Sequence, residues 1–173
     1  GNIVFEQATH PFSQLVDLLG AVRSVTAGPG GRKELAPGVA FYDTWQTALT
    51  HQRGSASLFL SFGRDFAESF VRAIGQDGSI HCDLLRGHVT RLRKTPWPDF
   101  WDQLRNAQWN ARALLRTGWR NAASYVLSTL KLKPRSDLFY EGMRASLAAF
   151  HASLRGGPPY PGDGAQGLQV VEV

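Results

Sequence analysis

Two side chains near the beginning of the chain, Glu6 and His10, have the residue types and the spacing that proton transfer requires. An imidazole takes up and releases a proton near neutral pH, and a carboxylate four residues away lies on the same face of a helix. Such a pair can act on a substrate hydroxyl as a general base with an orienting carboxylate. Similar pairs are common on helices that have no catalytic role, and the spacing alone favours that interpretation.

An amphipathic helix follows this pair and would fix the position of His10. Gly20 is a typical helix stop, and Pro11 fits only the first turn of a helix. The regular helix is therefore expected to begin near Pro11, with His10 at its N-terminal end. The apolar residues at helical spacing are Phe12, Leu15, Val16, Leu18 and Leu19.

The middle of the chain has the composition of strands joined by tight turns. Gly75-Gln76-Asp77-Gly78 is the strongest hairpin signal, because Asp-Gly accepts a positive φ. Hairpins dominate, so the sheet is expected to be largely antiparallel. The segment 28–38, rich in Gly and Pro, is predicted to be a loop. The predicted strands cover residues 22–27, 39–50, 55–62, 68–74, 79–85 and 89–94.

Helical periodicity returns after Pro98. One or two helices, broken near Gly118, are predicted before Pro134, and a last helix is predicted over residues 138–154. This order of elements predicts the α+β class: one domain over residues 1–173, with a mostly antiparallel open sheet and helices packed on one face.

The face of the sheet away from the helices is expected to be covered by a partner. The strands carry large aromatic side chains at Tyr42, Trp45 and Phe59. An apolar sheet face left open usually marks an interface.

The composition is that of a globular protein in a reducing compartment. The chain has 173 residues, of which 43% are hydrophobic and 19% charged, which suits one domain. Cys82 is the single cysteine, so no internal disulfide can form and a cytoplasmic location is expected. No apolar run approaches the roughly 20 residues of a membrane span, and no secretory leader precedes Gly1, so no membrane partner is expected.

A formal net charge of +5 raises the possibility of nucleic-acid binding, but the distribution of the basic residues argues against it. One loose cluster comprises Arg86, Arg91, Arg93 and Lys94. A second group, which begins with Arg105 and Arg112, is spread along a separate helical stretch. Solvated helix faces account for such charge, and no nucleic-acid partner is expected.

The remaining motifs predict neither a metal site nor a nucleophile. The four histidines after His10 have no ligand spacing with Cys82 or with carboxylates, so no metal is expected. Cys82 lacks a positioned base, and no Gly-x-Ser-x-Gly elbow occurs. The glycines of segment 28–31 do not lie between a predicted strand and a predicted helix, so they do not form a dinucleotide fingerprint.

Three segments together resemble the C-terminal domain of the Gfo/Idh/MocA family of NAD(P)-dependent oxidoreductases. The first is Gly1 to His10 followed by Leu18-Leu19-Gly20, which looks like the segment that enters this domain. The second is the hairpin Ile74 to Ile80. The third comprises Phe139 to Met143, Leu154-Arg155-Gly156-Gly157 and Gly167 to Val173, which resemble the family's last helices around a loop.

The resemblance implies a glyceraldehyde-3-phosphate-dehydrogenase-like C-terminal domain that follows a Rossmann domain of the same polypeptide. That Rossmann domain would bind NAD or NADP and contribute a lysine. His10 would be the acid/base for a sugar or polyol hydroxyl, with Glu6 where the family usually has an aspartate and Ser13 where an aspartate often follows. The sheet face would form a homo-oligomer, and this chain alone would be inactive. The alternative is a non-catalytic binding or scaffold domain, which the residues at positions 6 and 13 favour.

Overall fold

The computed structural model describes residues 7–134, 138–160 and 167–168. Three helices and six strands are formed within these residues. In chain order they are α1 (Thr9–Leu19), β1 (Val22–Ala36), β2 (Val39–His51), β3 (Gly54–Ser61), β4 (Phe70–Gly75), β5 (Gly78–Asp83), β6 (His88–Arg93), α2 (Asp99–Thr129) and α3 (Leu138–Leu154).

The chain belongs to the α+β class, and its strands are antiparallel throughout the described residues. They form two separate three-stranded sheets, β1-β2-β3 and β4-β5-β6, rather than the single sheet that the sequence predicts. Segment 62–69 connects them and belongs to neither strand β3 nor strand β4.

Contacts divide the chain into two compact units, one of residues 1–66 with 155–173 and one of residues 67–154. The first unit contains α1 and the first sheet, and the second contains the second sheet with α2 and α3. The single domain over residues 1–173 stays a prediction.

In the first unit, strand β1 corrects one prediction from the sequence. Segment 28–38 was expected to be a loop, yet β1 continues through its glycines to Ala36 and pairs with β2 along almost its whole length. Pro29 lies opposite Trp45 in this ladder. Proline is tolerated there because β1 is an edge strand, where a missing N–H need not break a ladder.

The buried face of the first sheet carries alternate residues of β2. Thr47, Leu49 and His51 are all buried, as the period of two in a strand requires. Helix α1 packs near β3 and contributes Val16 to this small core. The apolar core is therefore very limited in the first unit.

In the second unit, α2 lies beside β6 and covers the free edge of that strand. The side-chain oxygens of Asn106 and Asn110 accept hydrogen bonds from the backbone N–H of Arg93 and Arg91, at 3.1 and 2.9 Å. The amide nitrogens of the same side chains donate to the carbonyl oxygens of the same two arginines, both at 3.0 Å. Each asparagine side chain thus satisfies both the backbone N–H and the backbone C=O of one residue of β6.

The spacing of these two asparagines follows from the geometry of a helix beside a strand. Four residues of a helix advance about 6 Å, and two residues of a strand advance about 6.6 Å. Positions 106 and 110 therefore keep in step with positions 93 and 91. A single helix is formed through Gly118, since one glycine costs only about 1 kcal/mol relative to alanine.

Candidate functional site

The sequence-predicted base, His10, lies in the first turn of α1 with its side chain exposed. Pro11 follows it and fits there because the first backbone N–H groups of a helix have no partner within the helix. Ser13 donates its hydroxyl to the backbone carbonyl of His10 at 2.9 Å. Glu6 lies outside the described residues, so the pairing of Glu6 with His10 stays a prediction.

The opposite end of α1 is anchored by the turn between β2 and β3. The backbone N–H of Arg53 donates to the carbonyl of Leu19 at 2.9 Å, and its guanidinium donates to the carbonyl of Asp17 at 3.2 Å. The imidazole of His51 lies 2.8 Å from the carbonyl oxygen of Gly20 through Nδ1. These contacts satisfy carbonyls at the helix end and hold α1, so that His10 projects from the other end.

The tautomer of His51 follows from this geometry. A carbonyl oxygen only accepts, so the Nδ1 atom of His51 carries the proton and donates it to Gly20. The Nε2 atom of His51 is buried and has no hydrogen-bond partner among the described residues. His51 therefore acts as a structural connection between strand and helix.

A buried carboxylate joins β1 to β2 in the first sheet. Asp43 lies 2.8 Å from the ammonium of Lys33 and accepts the hydroxyl of Thr44 at 2.9 Å. These hydrogen bonds, with Lys33 the stronger influence, hold the pKa of Asp43 below its usual range. The carboxylate is thus fully engaged in holding the sheet together, which is a structural role.

A second carboxylate closes the turn between β5 and β6. Asp83 accepts the backbone N–H groups of Leu85 and Arg86 at 3.0 and 2.7 Å and the Arg86 guanidinium at 2.9 Å. The backbone hydrogen bond from Arg86 is the main reason that the pKa of Asp83 lies below its usual range. The imidazole Nε2 of His88 is 3.9 Å away, too far for a hydrogen bond.

The other sequence candidates in the second sheet are also structural. Cys82 is a half-buried free thiol, and the ring of His81 stacks on Phe70 with centroids 4.9 Å apart. Where the structure describes the chain, no three metal-ligating side chains come together.

The structure brings together arginines that the sequence analysis placed in separate groups. A cleft of about 230 Å³ between β6 and α2 is lined by Arg91, Arg93, Arg105 and Arg112. Residues two positions apart on a strand share one face, and so do residues seven positions apart on a helix. The spacing of these arginines in the sequence could therefore have indicated the two walls of the cleft. The short connection from Arg93 to Asp99 then places the two faces side by side.

Asp102 is the one carboxylate in the lining of this cleft. Its two oxygens accept the backbone N–H and the hydroxyl of Thr95, at 2.8 and 2.6 Å. The hydroxyl hydrogen bond is the largest of the influences that keep the pKa of Asp102 below its usual range. The ionised carboxylate therefore fixes the segment that leads from β6 into α2.

We expect Asp102→Asn to weaken the acid sensitivity of the fold. The pKa of Asp102 is lower in the folded chain than its unfolded value of about 3.9, so its stabilising effect is full above that pH and is lost as the pH falls through the lower folded pKa. The free energy of unfolding, measured by urea denaturation, should fall less steeply below about pH 4 in the variant.

Thr95→Val serves as the companion variant, because it removes the hydroxyl donor and leaves the carboxylate in place. It should also flatten the acid limb of the stability profile, to a smaller extent. A profile for Asp102→Asn that runs parallel to the parent profile in this range would contradict the assignment.

Comparison of the chain with family models, with curated proteins and with solved structures finds no match. No helix among the described residues is both long enough and apolar enough to span a membrane.

Proposed function

We propose that this chain is the C-terminal substrate-binding and oligomerisation domain of a cytoplasmic Gfo/Idh/MocA-type oxidoreductase, which acts on a sugar or polyol hydroxyl. One observation carries the proposal: His10 is exposed in the first turn of a helix whose C-terminal end is anchored. An imidazole held in this way can reach a substrate hydroxyl and accept its proton.

The dinucleotide, NAD or NADP, belongs in this proposal to a Rossmann domain of the same polypeptide. The described residues do not fit it. Gly28, Gly30 and Gly31 lie within β1, paired with β2, whereas a pyrophosphate cradle requires glycines in a turn between a strand and a helix. The contribution of this chain is therefore limited to substrate binding and to proton transfer at His10.

The expected aromatic face of the first sheet is not formed as predicted, because by register Tyr42 and Phe59 lie on one face and Trp45 on the other. The second sheet instead supports the oligomeric part of the proposal. Phe70, Ile74 and Leu92 share one face of this sheet by register, and each is at least half exposed. Apolar side chains grouped on a sheet face are typical of an interface. We propose that a second copy of the chain covers this face.

The first sheet also carries hydroxyl side chains on the face opposite its buried residues, away from the core to which α1 contributes, so this surface is separate from His10. Six small side chains share its exposed face and line a shallow depression: Ser24, Thr26, Ala48, Thr50, Ser55 and Ser57. Hydroxyl groups both donate and accept, as the hydroxyls of a sugar do.

Calorimetric titration of NAD(H) and NADP(H) tests the proposal on this chain and on the longer polypeptide that includes a Rossmann domain. We expect binding only by the longer polypeptide. Its oxidation of a polyol should fall about 10²- to 10⁴-fold in kcat with His10→Ala, because a positioned base contributes that factor.

His151→Ala is the matched control, since His151 is an exposed histidine in the second unit. It should leave turnover unchanged. Full turnover by His10→Ala, or no dinucleotide binding by the longer polypeptide, would refute the catalytic assignment.

A non-catalytic binding or scaffold domain is the second candidate. The hydroxyl of Ser13 is engaged with the backbone carbonyl of His10 rather than with its ring, so this position does not orient the imidazole. Absence of dinucleotide binding by both polypeptides would favour this candidate.

A further inference from the structure

The arginine cleft of the second unit has walls from two elements. Arg91 and Arg93 come from β6, and Arg105 and Arg112 come from α2. The two strand residues share one face of the sheet, and the two helix residues lie two turns apart on one side of the helix. Four arginine residues therefore line a space of about 230 Å³.

The charge of this cleft is not balanced within the part of the chain that the structure describes. None of the four arginines forms an ion pair with a described carboxylate. Asp102, the one acidic side chain in the lining, is hydrogen-bonded by Thr95 and interacts with Arg105 without forming a close ion pair. Three net positive charges remain around a concave surface, which concentrates the field that attracts an anion.

Arg91 is held in position by contacts with Trp109 and Asn110 of α2. The guanidinium carbon of Arg91 lies 4.0 Å from the ring centroid of Trp109. The side chain of Asn110 accepts a hydrogen bond from the backbone N–H of Arg91 and donates one to its carbonyl oxygen. A cation in this position is favourable, and it covers that face of the indole. A base or a sugar ring therefore cannot stack there without displacing Arg91, so the cleft recognises charge rather than an aromatic face.

We propose that this cleft binds the dianionic phosphate group of a small molecule, either inorganic phosphate or a phosphate monoester. The planar guanidinium fork matches two oxygens of a phosphate, and several forks can surround one group. The volume lies below the 300 to 1,000 Å³ range of sites for drug-sized ligands, which suits a compact anion or one anionic group of a larger ligand.

Calorimetric titration of the full chain with inorganic phosphate and with glucose 6-phosphate tests the proposal. Glucose and sodium chloride at matched ionic strength are the ligand controls. We expect saturable binding of the two phosphates and none of the controls. Equal affinities would identify the phosphate group alone as the ligand, and tighter binding of glucose 6-phosphate would identify the ester.

Arg105→Gln and Arg112→Gln should each weaken phosphate binding about tenfold, and the double variant about 100-fold. Both residues are exposed helix positions where glutamine is also a good helix former, so the fold should be retained, as circular dichroism would verify. Arg120→Gln removes the same charge from the same helix outside the cleft and should leave the affinity unchanged.

Three results would overturn the proposal. The first is no phosphate binding beyond that of the salt control, and the second is an equal loss of affinity in Arg120→Gln. The third is a single-stranded oligonucleotide that binds far more tightly than phosphate and loses affinity equally with every arginine, since that result would assign the charge to nucleic-acid binding.

Discussion

Alanine in place of Gly78 is expected to lower the free energy of unfolding of the second unit by about 3 kcal/mol. A Cβ atom on Gly78 would lie 2.0 Å from the carbonyl oxygen of Leu92 and 3.0 Å from its carbonyl carbon. These are backbone atoms of β6, so no side-chain rotation relieves the overlap. Strand β6 has to move away from β5, and the ladder between the central and the outer strand is disrupted.

Gly75→Ala is the matched control for this substitution. Gly75 pairs with Gly78 across the same hairpin turn, yet the nearest atom to its added Cβ would be 3.9 Å away, an ordinary contact. Its effect should stay below about 1 kcal/mol. Urea unfolding followed by far-ultraviolet circular dichroism measures both variants, and equal losses would show that the contact with Leu92 is not the cause.

A substitution in the first unit, Gly31→Ala, should also be strongly destabilising, by at least about 2 kcal/mol. Gly31 has a φ of 61°, a conformation that costs a residue with a Cβ about 1–2 kcal/mol. The added Cβ would also lie 1.8 Å from Oδ1 of Asp43. That carboxylate is held by Lys33 and Thr44, so the substitution must break these contacts as well.

Gly28→Ala, three residues earlier in the same strand, is the matched control. It tests the general effect of replacing a glycine, without the overlap with Asp43. No atom outside its chain neighbours would lie within 4 Å of its Cβ. We expect a change of no more than about 0.5 kcal/mol, measured by thermal and urea unfolding. A comparable loss in both variants would contradict the explanation based on Asp43.

Local signals in the sequence were sufficient for the first and last helices and for most turns, whereas the break expected near Gly118 is wrong, because α2 runs unbroken from Asp99 to Thr129. The last helix has the predicted bounds, Leu138–Leu154, and α1 ends before Gly20 as expected, because periodicity and stop residues act within one element. The hairpin at Gly75 and Gly78 is also confirmed. Segment 28–36 was mispredicted because its strand conformation depends on pairing with the long strand β2, which composition does not reveal.

The same distinction applies to the two candidate sites. The position of His10 at a helix start is a local property, and it is confirmed, whereas its chemical role stays a proposal. The arginine cleft depends on β6 lying beside α2, which brings Arg93 and Arg105 to one place. Within β6 or α2 taken alone, these arginines are indistinguishable from solvated charge, so the sequence does not predict the cleft.

The asparagines of α2 also determine how the second sheet can meet other strands. Asn106 and Asn110 occupy the outward N–H and C=O groups of β6 as a fourth strand would. A strand from another molecule would have to displace both amides before it could pair there, so this edge is protected against strand exchange and fibril-like aggregation. Growth of this sheet by strand addition is therefore restricted to its opposite edge, β4.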